Sequence, residues 1–203
     1  MPDVSQIFTM LFLMLGPFKI LGPFVKITKN VNQAFARRIA VRTILYSLVA
    51  LMLAAFLGEK ILSKFGVPLP ILALSGGVIL FLVALLSVIQ QFESAKPHEE
   101  KSTGVPSLSV AIQPLAFPII VTPFGIAAVI VFISLSPDLN SKLTVGAIVG
   151  GIMVLNFLFM FFARILYKPL AIILPIVGVV LSIIQVAIGA NIIYNSLNAL
   201  LSS

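Results

Sequence analysis

The stretch GPFKILGPF, Gly16 to Phe24, carries two Gly-Pro pairs and a lysine inside an otherwise apolar run from Gln6 to Val25. A proline in a helix removes one backbone donor and crowds the carbonyl four residues earlier. In hydrocarbon an unsatisfied backbone group costs several kcal/mol, so two such interruptions in one membrane span need a reason. Gly16 suits the left-handed position after a helix end, and Pro17 blocks continuation. Gly22 suits a cap and Pro23 the first position of a new helix. The residues from Gln6 to Leu15 would rise only ~15 Å as a helix, about half of a ~30 Å hydrocarbon layer, which puts the break near the midplane.

The rest of the chain supports a membrane setting. Apolar residues make up 60% and charged residues 9% of 203 residues, with mean hydropathy +1.20, which excludes a soluble domain with a wet surface. Five further apolar stretches follow the first: Thr43 to Gly58, Val67 to Phe92, Leu108 to Leu135, Leu143 to Ala163 and Leu170 to Leu201. The short second run reaches spanning length if its helix starts near Arg38, with Arg42 snorkelling to the interface. The sequence thus predicts an all-α membrane protein with six transmembrane helices. No Lys or Arg precedes the first run, so it reads as a retained span and not a signal peptide.

The net charge of +7 comes from basic residues in short loops, where they set orientation and not nucleic-acid binding. Nine Lys and Arg residues (Lys26, Lys29, Arg37, Arg38, Arg42, Lys96, Lys101, Arg164 and Lys168) fall on one side of a six-span topology and three (Lys60, Lys64 and Lys142) on the other. The 26–42 and 93–107 loops are therefore expected in the cytoplasm of a multi-pass inner-membrane protein, with both termini external. The polar segment from Glu93 to Ser107 reads as a hinge between residues 1–92 and 108–203. Its His98 reads as a solvated loop residue. With no cysteine, thiolate chemistry and Cys metal sites are excluded.

Gly22-Pro23-Phe24 aligns with Thr122-Pro123-Phe124 at an offset of 100 residues, and Leu69-Pro70-Ile71 with Leu174-Pro175-Ile176 at an offset of 105. Two halves of three spans must insert upside down relative to each other, the inverted-repeat plan of many secondary transporters. Spans 1 and 4 are then both broken near the midplane, with Thr122 as a side-chain cap, Pro123 at the first helical position and Pro114 and Pro118 loosening the preceding turn. Half-helix N-termini at Phe24 and Phe124 would offer N–H groups and partial positive charge to a carboxylate. Lys19, ionisable within a span, is a candidate for the same site; the alternative is a lysine snorkelling to the headgroups, just as a simple kink is the alternative to a binding site at each break. Among uncharged polar residues in spans are Ser75, Gln113, Asn156, Gln185, Asn191 and Asn195, residue types that commonly join helix to helix. The six acidic residues all fall in termini or loops, which disfavours a carboxylate proton pump.

The segments ARRIAVRTILYSLVALMLAAFLGEKIL, LSGGVILFLVALLSV and PLAFPIIVTPFGIAAVI resemble the characteristic spans of the MarC family of bacterial inner-membrane proteins. The resemblance covers most of the chain and includes the Ser75-Gly76-Gly77 run. It implies six spans and, from some members, transport of neutral amino acids such as glycine and alanine. The family's span 1 motif, Asp-Pro-x-Gly-Asn, is replaced here by Gly16, Pro17, Phe18, Lys19 and Ile20. Thr122 stands where a Gly often precedes the span 4 proline, and Asn191 about where an Asp can occur. These changes shift the site toward positive charge.

The expected site comprises Gly16, Pro17, Lys19, Gly22, Pro23, Phe24, Pro118, Thr122, Pro123, Phe124, Gly76, Gly77, Gln185 and Asn191, with no catalytic residue, metal or cofactor. The expected function is secondary transport of a small solute, a neutral amino acid or related small carboxylate, with a non-transporting scaffold or assembly protein as the alternative. A membrane enzyme would need a cluster of His, Asp, Glu, Cys or Ser near one face, and none is visible. Expected partners are a small-molecule substrate and the lipid bilayer, without nucleic acid; a homo-oligomer stays open. In this cysteine-free chain, single cysteines at Ser203 and Ser102 should label from opposite membrane faces with an impermeant maleimide; labelling of both from outside would overturn the topology.

Overall fold

The computed structural model describes residues 4–93, 107–136, 138–170 and 173–202. The expected hinge therefore lies outside the described residues from 94 to 106, and His98 with it.

Every regular element among the described residues is helical. Span 1 consists of α1 (Val4–Leu15) and α2 (Phe18–Thr28), span 2 is α3 (Gln33–Phe65) and span 3 is α4 (Leu69–Glu93). Span 4 combines an irregular segment, Leu108–Ile120, with α5 (Pro123–Ser134). Span 5 is α6 (Leu139–Phe161), followed by the short α7 (Ala163–Leu170), and span 6 is α8 (Ile173–Leu201). Among the described residues five helical stretches are long and apolar enough to cross a membrane, with α1 and α2 counted as one, and six spans result when the bent pair in span 4 also counts as one.

Helix ends follow local chemistry. The Asn32 side chain accepts a 2.7 Å bond from the Phe35 N–H, so α3 starts at Gln33, earlier than the Arg38 expected from the apolar run. It ends on Gly66 (φ +59), with the Val67 N–H donating to the Leu62 carbonyl at 3.1 Å. This is a left-handed glycine termination. At α6, Asp138 accepts from the Ser141 N–H at 3.2 Å and the Ser141 hydroxyl at 2.6 Å, and these bonds hold its carboxyl below the usual carboxylate range. The cap is charged at neutral pH and is lost only as pH falls through that lowered value. Arg164 donates to the Thr28 carbonyl at 3.4 Å and also to the Val31 carbonyl, tying down the exit of α2.

Span 1 departs from the expected double interruption. Gly16-Pro17 separates α1 from α2, but Gly22-Pro23 lies within α2, so Pro23 does not open a helix and Phe24 is not a helix N-terminus. The new helix begins at Phe18. One turn of α2 forms before Pro23, and an internal proline needs only that its missing N–H and the displaced carbonyl be tolerated. Gly16 also avoids the left-handed conformation, since Gly66 alone among the described residues has positive φ. Glycine is required there for space, because a Cβ would fall 2.1 Å from the Phe12 carbonyl oxygen.

The core forms where α1, α2 and α3 pack around α5, α6 and the irregular segment: Leu11, Leu15, Ile20, Leu21, Ile39, Leu51, Leu115, Ile120 and Ile152 are fully buried there. The apolar stripe Leu45, Val49, Met52 and Phe56 on α3 is exposed instead, as a lipid-facing surface should be. On the other side α4 lies along α8. A Cβ at Gly189 would sit 2.8 Å from the backbone N of Phe81, and one at Gly77 would sit 2.9 Å from Ile192. Small residues thus let these helices approach closely, which is how membrane helices gain packing energy where lipid offers no hydrophobic drive.

Candidate functional site

Pro17 has no N–H, so the Leu13 carbonyl loses its helical donor. Gln185 of α8 replaces it, its Nε2 donating to the Leu13 oxygen at 2.6 Å. The Leu15 carbonyl lies at the same break and accepts from Asn156 Nδ2 of α6 at 2.8 Å, with the Ile152 carbonyl as second acceptor at 2.9 Å. Asn156 is fully buried and Gln185 nearly so. The break in span 1 is thus satisfied by two side-chain amides from spans 5 and 6.

Span 4 breaks more sharply, turning 64° between Leu108–Ile120 and Pro123–Ser134. Extended backbone at Gln113 and Phe117 interrupts the first part. At the bend Thr122 adopts an extended conformation and its Oγ1 accepts from the Gly125 N–H at 3.1 Å, with Pro123 at the first helical position. The expected cap and helix start are therefore present in span 4, where a hydroxyl is available to act, and absent at Gly22, where none is.

Fixed by its Nε2 bond, the Gln185 amide turns its Oε1 toward Lys19, whose Nζ donates to it at a long 3.4 Å. The same Nζ stands 5.0 Å from the centroid of the Phe124 ring, within cation–π range. Lys19 is thus directed inward. These groups border a cavity of about 700 Å³ lined also by Phe18, Pro23, Val83, Ser87, Pro118, Ile119, Thr122, Gly178, Leu181 and Ser182. The Ser87 and Ser182 hydroxyls each donate to the carbonyl four residues earlier, Val83 and Gly178, at 2.8 Å.

Of the expected site residues, the cavity gathers Lys19, Pro23, Pro118, Thr122, Phe124 and Gln185. Gly76 and Gly77 line a separate apolar cavity of about 140 Å³ with Met10 and Met14, on which Phe124 also borders. Gly16 and Pro17 form the break that orients Gln185. Pro123 starts α5, Phe24 is buried in the core, Gly22 is half-buried in α2 with open space where a Cβ would stand, and Asn191 is exposed on α8. The sequence reading left Asn156 outside the site. Its signal was an amide isolated in the apolar run of α6, the kind of residue that a broken neighbouring helix calls for.

A model of the MarC family of integral membrane proteins matches residues 1–201. The chain belongs to the MarC family. Among MarC relatives, a UPF0056 membrane protein of Methanocaldococcus jannaschii is 30% identical over 138 residues, covering 68% of this chain and 67% of the relative. One from Archaeoglobus fulgidus is 33% identical over 140 residues, covering 68% and 65%. The UPF0056 inner membrane protein YhgN of Escherichia coli K12 is 28% identical over 169 residues, covering 82% and 83%. No solved structure matches.

The amide repair of span 1 predicts a coupling measurable by a double-mutant cycle. Gln185→Leu strands the Leu13 carbonyl and should destabilise the protein in detergent by ~1–3 kcal/mol. In a Pro17→Ala background, the restored N–H can reach that carbonyl, and the penalty of Gln185→Leu should shrink by ~1 kcal/mol or more. Equal penalties in the two backgrounds, measured by thermal or denaturant unfolding, would mean that the Gln185–Leu13 bond does not compensate Pro17.

Proposed function

We propose that this MarC protein is a secondary transporter that moves a small solute, a neutral amino acid or related small carboxylate, across the inner membrane. The observation that supports this reading most is the cavity of about 700 Å³ where the bend of span 4 meets the inward lysine of span 1. Irregular backbone at membrane depth is tolerated where it is buried in protein or lines a water-filled cavity, and broken helices beside a central cavity are a recurrent site of solute and ion binding in transporters. The fit to this plan is chemical as well as geometric. Lys19, the Thr122 hydroxyl and the N-terminus of α5 can all face one carboxylate.

In this proposal residues 1–92 and 108–203 are inverted three-span repeats, joined by a cytoplasmic hinge at 93–107, and rock about the cavity to expose it to one side at a time. The starts of α4 at Leu69 and α8 at Ile173, close to the paired Leu-Pro-Ile sequences, are in keeping with such a repeat. The nine-to-three partition of basic loop residues supports external termini, and the name of the E. coli relative, an inner membrane protein, supports that location. In this reading the protein is a transporter and not an enzyme.

Flux separates this reading from a scaffold. Purified protein in liposomes should take up at least one of radiolabelled glycine, alanine, lactate and propionate faster than empty liposomes. Lys19→Met, which keeps the aliphatic stem and removes the charge, should lower that flux ~tenfold or more with the protein still folded. Absence of flux for all four, or flux unchanged in Lys19→Met, would contradict it.

A further inference from the structure

The charge of the cavity wall selects among the solutes left open by the transport reading, on which this inference rests. Among the described residues that line the cavity, Lys19 is the one ionisable side chain. We infer that the site takes a small organic monoanion, a monocarboxylate with a short apolar tail, in preference to a zwitterionic amino acid.

Three observations converge on a missing negative charge. First, the neighbours of Lys19 are neutral. Its Nζ meets the Gln185 Oε1 at 3.4 Å and the Phe124 ring at 5.0 Å, and an ammonium has three donors to place. Gln185 cannot turn to serve it better without releasing the Leu13 carbonyl, which its Nε2 holds at 2.6 Å. Second, the other polar groups around the cavity favour an acceptor as ligand. Thr122 Oγ1 already accepts from the Gly125 N–H, which leaves its hydroxyl hydrogen to donate, and the N-terminus of α5 beside it carries partial positive charge. Third, the rest of the wall, including Val83, Ile119 and Leu181, offers an apolar surface to a short hydrocarbon tail.

A monocarboxylate neutralises Lys19 and leaves the occupied cavity uncharged. A zwitterion leaves it at one positive charge. Its ammonium would meet neutral acceptors such as Gln185 Oε1, already engaged by Lys19, and the lone pairs of Ser87 and Ser182, whose hydrogens are held by Val83 and Gly178. It would also share a partly desolvated space with Lys19, and like charges so placed repel strongly.

The test uses the purified full chain in detergent, with propionate and alanine as probes, at fixed pH and ionic strength. These two solutes present a carboxylate on chains of the same length and differ by the ammonium group. Isothermal titration and thermal stabilisation should both rank propionate above alanine by ~tenfold or more in affinity, the scale expected of one uncompensated like-charge contact. Lys19→Met should abolish propionate binding, while Lys19→Arg, which keeps the charge, should retain it and guards against loss of binding through misfolding. Alanine binding as tightly as propionate, or propionate binding that survives in folded Lys19→Met, would overturn the inference. Liposome flux tells its failure from that of transport: flux of alanine without propionate sinks the monoanion preference and leaves transport standing. Selective propionate binding with no flux of either solute does the reverse.

Discussion

A single missing hydrogen organises the centre of this protein. Pro17 has no N–H, and the Leu13 carbonyl it leaves behind lies within a membrane-spanning segment, where bulk water is not the solvent. Gln185 supplies the donor from span 6, and Asn156 does the same for Leu15 from span 5. Because each amide belongs to the second half of the chain, the break in span 1 can be sustained only when both halves are packed together. The cost of the break is thereby turned into specificity of assembly, and the orientation of Gln185 Oε1 toward Lys19 follows from it.

The bend at Thr122 depends on the same rule by a different route. There the orphan donor is local, the Gly125 N–H, and a side-chain hydroxyl three residues earlier accepts it. The 64° turn opens space beside α4 and α8, which close-packed glycines hold together. Lys19 and Phe124 reach into that space from opposite halves of the chain. Together these features place one cation in an otherwise neutral, largely apolar recess.

Much of this was legible in the sequence, and the remainder divides by physical cause. Hydropathy gave the spans because bilayer thickness sets helix length, and Thr122-Pro123 announced its own cap because capping is local. Gly22-Pro23 looked the same in sequence yet stays inside α2: glycine has no oxygen to hold an orphan N–H, and tertiary packing kept the helix running through the proline. Lys19, Gln185 and Pro118, singled out by charge, polarity and backbone chemistry within apolar runs, line one cavity. Asn191 shared that polarity and is exposed, since which face a helix turns inward depends on its neighbours. Asn156 was visible as an amide but not as a partner of Leu15, 141 residues away, because a long-range bond has no local signature.

The recess beside these breaks is expected to hold water and not to be merely a gap in the packing. Substituted-cysteine accessibility tests it directly, since the chain has no native cysteine. Ser87→Cys and Ser182→Cys, on the cavity wall, should react in membranes with a water-soluble, impermeant thiosulfonate, while Val49→Cys and Leu53→Cys, exposed apolar positions of α3, should not. Cavity cysteines as inert as those on α3 would contradict a hydrated site.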